Sequence, residues 1–291
     1  MANLDHNSGK NLYYGALLLL GGGYSVIFLL ETHKVPAVKA TWQLESGDRV
    51  YFSHFSTHLA GVATLFSPEL QPEVLGVAEV LPERLLHVQA CVEGLILNLA
   101  NIYTPNTGPD QVHFYRQVLA FLGTLDPHEC LVLGRDFNTT LEDRDRSGLE
   151  NSPAAVSILR EIMDHHSLVD VWHDHHPDDD TTFTYVHMED DQSCHSRLDQ
   201  MYLSRFHLAQ AHASSIWPAP FTDHHFVTVM ASLSSERPGL TFWHFNNSVL
   251  EDVDFVASFQ ELWLAWRRQR HTFPSSQRWW DVGKVRKRLF C

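Results

Sequence analysis

The sequence predicts an α/β fold in which two β-sheets pack face to face with helices on the outside. Two observations predict it. Apolar runs with the period of a β-strand occur in two blocks along the chain, and segments with apolar residues at helical spacing alternate with them. The length of 291 residues and the hydrophobic content of 44% fit one large core and an extension. We therefore expect an α/β domain over residues 1–233 and an extension over residues 234–291.

The first block of strands starts beside three consecutive glycines. Residues 12–20 are predicted to form a helix and residues 24–30 a buried strand, because a continuous apolar run bounded by glycines suits a central position in a sheet. Glu31 follows at the end of that strand. Further strands are predicted at residues 49–55 and 61–66, and a hairpin at residues 85–93 and 95–104 that turns at Glu93 and Gly94.

Two covering helices precede the later strands, which are predicted at residues 181–187, 197–203 and 226–233. Apolar side chains at helical spacing predict these helices at residues 111–125 and 154–166. Residues 173–180 are dense in His and Asp, but adjacent residues of a loop rarely converge on one metal ion, so we interpret them as a solvated loop. From residue 234 the composition changes to Ser, Pro and Gly, which predicts the end of the domain.

The central motif of the chain is the stretch from Cys130 to Thr140. Its apolar run, bounded by Gly134, predicts a buried strand, and the extended period of two places Asp136 and Asn138 on one side of it. Strand ends at the edge of an open sheet often carry the chemistry of an enzyme. Asp-x-Asn after a strand is also common in ordinary turns, so the motif alone does not decide between a site and a turn.

Five segments in order resemble the motifs of the endonuclease/exonuclease/phosphatase superfamily: Leu-Leu-Glu-Thr-His at 29–33, Asn-Ile-Tyr-Thr-Pro-Asn at 101–106, Gly-Arg-Asp-Phe-Asn at 134–138, Ser-Arg-Leu-Asp at 196–199 and Thr-Asp-His-His at 222–225. Over nearly its whole length the chain is similar to the apurinic-type endonuclease domain of LINE-type non-LTR retrotransposons. Residues 243–248 and 279–281 resemble the linker before the reverse transcriptase of such an element. The resemblance implies a four-layered α/β/β/α sandwich with two mixed sheets.

The resemblance also implies a metal-assisted cut of a DNA phosphodiester. Glu31 and Asp223 are the expected ligands of Mg²⁺ or Mn²⁺, since these cations prefer oxygen donors. Asp136 is expected to orient or deprotonate the attacking water. Asn138 is expected to hold that water or the phosphate in place.

A second group of residues is expected to surround the phosphate. Protonated His224 donates a strong hydrogen bond to developing negative charge, while Asp199 fixes its tautomer and raises its pKa. By resemblance, Tyr103 places its hydroxyl against the scissile phosphate, although a ring at a strand end is also common in a core. Thr184 and Arg135 are expected to contact DNA. A capping Asp or a core His is the ordinary alternative for each single residue.

Three departures from the family pattern leave other functions open. Arg135 stands where glycine is usual, and there it would obstruct the backbone and lower the basicity of Asp136, unless strand alternation points it away from that carboxylate. Phe226 stands where proline is usual. The start at Met1 leaves the first strand missing or truncated, so that only Asn3 or Asn7 is available to replace an expected asparagine. The alternatives are a retroelement-derived copy that folds without cutting, and a phosphomonoesterase or lipid phosphatase.

Charge and cysteine content constrain the partners. The formal charge of −14 opposes general attraction to nucleic acid, but residues 265–291 carry a net charge of +7, leaving −21 elsewhere. This basic extension is expected to be dispensable for the fold and to contact the element's RNA or to form a solvated helix face. The cysteines form no CxxC pair, which favours a reducing compartment. We expect a monomer that binds DNA in the nucleus or cytoplasm, with no membrane segment and no signal peptide.

Overall fold

A computed structural model of the chain describes residues 24–30, 32, 49–53, 61–67, 70, 72–147, 151–189, 192–219, 222–232, 253–272 and 279. The chain divides into two compact units, Met1–Ser235 and Glu236–Cys291. The domain boundary was predicted between residues 233 and 234, and the assignment of the second unit as a linker stays a prediction. The predicted helix at residues 12–20 and the question of the first strand lie outside the described residues.

The described residues form thirteen strands and four α-helices. The strands are β1 (Val26–Leu30), β2 (Val50–Ser53), β3 (Val62–Phe66), β4 (Glu73–Leu81), β5 (Leu85–Val92), β6 (Leu95–Tyr103), β7 (Cys130–Asp136), β8 (Leu168–Asp170), β9 (Tyr185–Glu189), β10 (Gln192–Ser196), β11 (Asp199–Ser204), β12 (Ala211–Trp217) and β13 (Phe226–Ala231). The helices are α1 (Gly108–Leu122), α2 (Pro153–His165), α3 (Val171–His175) and, in the second unit, α4 (Val253–Arg268).

The largest sheet is mixed and has six strands in the order β4-β5-β6-β7-β11-β8. Strands β6 and β7 are parallel, which requires a crossover, and helix α1 provides it. The other pairs are antiparallel. The predicted hairpin of β5 and β6 is confirmed, and it turns at Glu93 (φ 50°) and Gly94 (φ 83°), because a two-residue hairpin connection needs left-handed residues.

Two buried clusters of apolar side chains hold the layers together. One lies between the six-stranded sheet and helices α1 and α2, and it includes Ile102, Tyr115, Leu133 and Leu159. The other lies on the opposite face of the sheet. Alternation along β5 divides the strand between them, since Leu85 belongs to the first cluster and Leu86 to the second.

A second layer of strands covers that opposite face. Strand β2 lies over β4 and β5, β3 over β5 and β6, and β1 over β6 and β7, while β13 lies against β11. Between β1 and β13 is a cavity of ≈ 340 Å³, lined on its floor by side chains such as Val132 and Met201. Strand β6 is tied to this layer by Asn101, whose buried amide donates to the carbonyl oxygen of Ala63 at 2.9 Å. The predicted α/β fold with mixed sheets is confirmed.

Several elements were not predicted from the sequence. Strand β4 forms an edge of the large sheet, and β10 and β12 pair with β9 and β13. These strands have few buried apolar residues, so the alternation that identifies a strand is weak. No helix in the described part of the chain is long and apolar enough to cross a membrane.

The predicted solvated loop at residues 173–180 is partly wrong. Residues 171–175 form helix α3, capped by the carboxylate of Asp170, which accepts from the backbone N–H of Trp172 at 2.9 Å. The His173 ring is only 11% exposed and lies 3.0 Å, Nε2 to Oδ1, from Asp145. The sequence did not reveal this because the acid that contacts His173 comes from a distant loop.

A buried ion network joins the segment that enters β11 to its surroundings. Arg197, which is 1% exposed, donates from Nε to Asp145 Oδ1 at 2.8 Å and from Nη2 to Asp170 Oδ2 at 2.6 Å. Asp145 lies in the connection after β7 and Asp170 ends β8, so one guanidinium joins the segment before β11 to two other parts of the chain. Its Nη1 is buried without a hydrogen-bond partner among the described residues.

We expect Arg197→Met to lower the free energy of unfolding by about 3–5 kcal/mol, because it leaves buried carboxylates without their cation. Denaturant unfolding followed by circular dichroism measures this. The control is Arg205→Met, since Arg205 is exposed and follows the same strand, and it should change the free energy by less than about 0.5 kcal/mol. Equal effects of the two substitutions would show that the network adds no stability.

Candidate active site

The candidate site lies where three strands of the large sheet bring polar residues to one edge. Asp136 is the last residue of β7, and it is paired in register with Tyr103 at the end of β6 and with Asp199 at the start of β11. Because β11 runs antiparallel to β7, its first residue meets the last residue of its neighbour. Asp199 therefore begins its strand, whereas the sequence predicted a start at residue 197.

Asp199 and His224 form a hydrogen-bonded pair. His224 Nδ1 lies 2.6 Å from Asp199 Oδ2. Asp199 is fully buried, and its backbone N–H donates to the hydroxyl of Thr184 at 3.0 Å. The predicted contact between this carboxylate and imidazole, at hydrogen-bond distance, is present.

The protonation states follow from burial and neighbouring charge. Burial, together with the negative charge of Asp199, raises the pKa of Asp136 to about 7. Burial alone would raise the pKa of Asp199, but the charges of Arg135 and His224 hold it below its ordinary value. Burial alone would lower the pKa of His224, yet the charge of Asp199 and the hydrogen bond to it raise that pKa to about 9. Near neutral pH the site thus holds an imidazolium beside a carboxylate that is close to its titration midpoint.

Asn138 turns back over the end of β7. Its φ of 45° is left-handed, a conformation that asparagine tolerates better than most residues. Its backbone N–H donates to Asp136 Oδ1 at 2.8 Å, and its side-chain amide donates to the carbonyl of Thr104 at 2.8 Å. Helix α1 supports this turn, because the hydroxyl of Tyr115 donates to the carbonyl of Phe137 at 2.6 Å and Gln111 donates to that of Asn138 at 3.1 Å.

The sequence left two placements open for Arg135, one beside the carboxylate of Asp136 and one on the opposite side of the strand, where it would contact DNA. The structure directs its guanidinium into the site, since its φ is 103° and its Nη1 lies 3.1 Å from Asp199 Oδ1. A left-handed residue interrupts the simple alternation of an extended strand, which is why alternation does not place it on the opposite side. Its charge opposes the rise in the pKa of Asp136, in line with the first placement. Arg135 therefore forms an ion pair inside the site with Asp199, the carboxylate that also binds His224.

Thr184 also requires a correction. It is fully buried, and its hydroxyl accepts from the backbone of Asp199, so it has no exposed surface with which to touch DNA. Its backbone N–H donates to the carbonyl of Ser196 at 3.0 Å. Thr184 is placed to hold the start of β11.

The remaining predicted residues are less closely tied to this centre. Tyr103 is half-buried and packs under the guanidinium of Arg84, whose Cζ lies 4.6 Å from the ring centroid. Asp223 is exposed and accepts from the hydroxyl of Thr222 at 3.3 Å. Glu31 lies outside the described residues.

Two residues at the site were not singled out from the sequence. The ring of Tyr185 lies 4.8 Å, centroid to centroid, from that of His224, and residues 185 and 224 form an isolated β-bridge. Asn106 Oδ1 accepts from the amide of Asn138 at 3.2 Å. Asn106 ends one of the five motifs and could have been found there, whereas only the β-bridge brings Tyr185 to the site.

The residues present fit a divalent cation held by few protein ligands. The side-chain oxygens of Asp136, Asn138 and Asp223 are donors of the type that Mg²⁺ prefers, and Asp136 lies buried in register with a second carboxylate, Asp199. In the described ranges no three His, Cys, Asp or Glu side chains converge as a metal cluster. Mg²⁺ keeps several waters in such sites, so one or two carboxylates suffice.

An acid–histidine pair and a buried Asp-x-Asn motif at the edge of an α/β sheet define a class of hydrolytic sites. Residues 5–224 match the model of the Endonuclease/Exonuclease/phosphatase family. The chain belongs to this family.

A curated relative agrees with this assignment. The chain is 43% identical over 294 residues to the Transposon TX1 uncharacterized 149 kDa protein of Xenopus laevis. The match covers 100% of this chain, which spans 22% of the length of that relative.

Solved structures show the same fold. An AP endonuclease from Archaeoglobus fulgidus superimposes with a TM-score of 0.61 at 19% identity, over 76% of this chain and 95% of its own. An AP endonuclease from Leishmania major superimposes with a TM-score of 0.61 at 18% identity, and the match covers 77% of this chain and 83% of that structure. The endonuclease domain of TRAS1, a telomere-specific non-LTR retrotransposon, superimposes with a TM-score of 0.57 at 12% identity. This match covers 80% of this chain and 94% of that structure. At these identities the likeness concerns the fold alone.

We expect the pKa of His224 to fall clearly below about 9 in Asp199→Asn, because the substitution removes the largest of the charges that oppose the effect of burial. NMR titration of the imidazole C2–H resonance measures this. A spectrum of His224→Gln identifies the signal among those of the 20 histidines. A pKa that stays near 9 in Asp199→Asn would show that another group controls His224.

Proposed function

We propose that the chain is a Mg²⁺- or Mn²⁺-dependent endonuclease that nicks one strand of DNA. The observation that carries this proposal is the buried Asp136 in register with Asp199, which is itself bonded to His224 at 2.6 Å. Hydrolysis of a phosphodiester needs a base for the attacking water and a cation for the phosphoryl oxygens. This arrangement offers both, since Asp136 ends β7 and His224 lies two residues before β13.

Asp136 serves as the general base in this proposal. A pKa of about 7 lies near the operating pH. At such a pKa a large fraction of the carboxylate is ionised, and it still binds a proton strongly enough to take one from water. The backbone N–H of Asn138 occupies Oδ1 of this carboxylate, which limits the orientations that it can adopt. The amide of Asn138, which is held by Thr104, lies beside the same carboxylate to position the water or the phosphate.

His224 stabilises charge on the phosphoryl group. Its Nδ1 is engaged by Asp199, so Nε2 carries the proton that can be donated. Thr184 and Arg135 act through Asp199, which keeps the imidazole oriented. We further propose that the Tyr103 hydroxyl contacts the same phosphate.

A divalent cation, when bound, supplies Lewis-acid stabilisation of the phosphoryl oxygens. Glu31 and Asp223 would hold it. Asp223 is suited to this role because it is exposed and adjacent to His224 in the chain.

The relatives support the choice of DNA as substrate. Three of the similar structures are named as endonucleases, one from a retrotransposon, and the curated relative is a transposon protein. We infer that the nick primes retrotransposition, which would require the protein to reach DNA in the nucleus. Contact of the basic extension with the element's RNA belongs to the same proposal.

We expect the chain to relax supercoiled plasmid in Mg²⁺ and not in EDTA. Asp136→Asn should lower kcat by at least about 10²-fold, because it removes a general base. The control is Asp126→Asn, an exposed aspartate before β7, which should nick as the parent does. Plasmid relaxation on agarose gels measures the rate.

The same preparation tests the other functions. Release of phosphate from phosphoinositides without nicking would identify a lipid phosphatase. A folded chain that neither nicks nor dephosphorylates would be a retroelement copy that has lost activity. Either result would overturn the proposed endonuclease.

We expect a bell-shaped dependence of kcat/KM on pH. Asp136 must be ionised, so activity should rise as pH increases through about 7, and His224 must be protonated, so activity should fall through about 9. Because the groups interact, the two limbs report apparent values for the cluster. Initial rates from about pH 5 to about pH 10 measure the profile. An alkaline limb unchanged in Asp199→Asn would rule out His224 as its source.

A further inference from the structure

Arg135 holds an unusual backbone conformation within the central sheet. Its φ of 103° lies in a region that side-chain-bearing residues rarely adopt, although the residue is paired in register with Ile102 on one side and Gln200 on the other. Such strain persists where the surrounding structure imposes it, and it often marks a functional position. The neighbouring Gly134 allows close packing here, since a Cβ added to it would meet the ring of Phe28 at 3.2 Å.

The guanidinium of Arg135 is directed at the site and is poorly solvated. Nη1 lies 3.1 Å from Asp199 Oδ1, and the side chain is 14% exposed. The contact is an ion pair without the geometry of a directed hydrogen bond, and Arg135 Nε is buried with no hydrogen-bond partner among the described residues. A charge that is little screened by water acts strongly on its neighbours.

Arg135 also changes the charge balance of the site. Asp136 and Asp199 are buried side by side, and His224 and Arg135 are the cations beside them. With all four groups ionised, their charges cancel. Without Arg135 the same groups would carry one net negative charge, which favours a divalent cation.

We propose that Arg135 is a built-in cation of this site, which holds Asp199 in place and reduces the affinity of the site for a divalent metal. The proposal rests on the proposed function, because it concerns the metal of that reaction. Arginine suits the role because its guanidinium stays protonated and is more weakly hydrated than an ammonium group.

The test compares Arg135→Gln with Arg135→Lys. Both substitutions keep a long polar side chain with a Cβ at the left-handed position, and they differ in charge. Free Mn²⁺ is measured by electron paramagnetic resonance during titration of each folded protein, and Mg²⁺ binding is measured by calorimetry. The matched control is Arg205→Gln, an exposed arginine beyond the far end of β11.

Arg135→Gln is expected to tighten Mn²⁺ binding by about tenfold, whereas Arg135→Lys and Arg205→Gln should stay close to the parent. Equal affinities of the Gln and Lys variants would overturn the inference. Plasmid nicking by the same proteins separates this result from the proposed function. Tighter Mn²⁺ binding by Arg135→Gln, with no nicking by any variant, would support the role of Arg135 and overturn the proposed endonuclease function. Nicking by these proteins with an unchanged Mn²⁺ affinity would support the endonuclease function and overturn the role of Arg135.

Discussion

The burial of two carboxylates side by side is the constraint on which this site depends. Asp136 and Asp199 occupy opposed positions of adjacent antiparallel strands, away from water. Like charges in such surroundings cannot both stay ionised unless cations lie beside them. Arg135 in β7 and His224, two residues before β13, supply these cations, and both contact Asp199. Asp136 is left with the raised pKa that suits a base.

The sheet gives these groups their positions. Strand β7 runs parallel to β6 and antiparallel to β11. The ends of β6 and β7 therefore meet the start of β11 at one edge of the sheet. Helix α1 holds the turn after β7 through Tyr115 and Gln111. Because these supports belong to regular elements with buried side chains, the polar atoms of the site are held more firmly than a loop alone could hold them.

The network around Arg197 extends this support to β11. Arg197 lies two residues before Asp199, and its ion pairs with Asp145 and Asp170 fix the segment through which the chain enters the strand. Thr184 adds a hydrogen bond to the backbone of Asp199 itself. The site therefore has a second group of polar residues, mostly buried, whose contacts determine where Asp199 lies.

The sequence alone determined the fold class and predicted which residues form the candidate site. Apolar alternation and glycine turns revealed β1, β6 and β7, and five motifs in order indicated Asp136, Asn138, Asp199 and His224. Those signals are local, because they depend on the period of a strand or on neighbouring residues.

The tertiary structure decided what depends on distant partners. The left-handed backbone at Arg135 turned its guanidinium to Asp199, and the packing of β11 buried Thr184. Strands such as β4 and β12 form by pairing with neighbours and bury few side chains of their own, so their sequences carry little alternation. His173 was taken for a loop residue because the acids that surround it lie far away in the chain. A single sequence does not specify such contacts, since their energy arises only when the elements pack together.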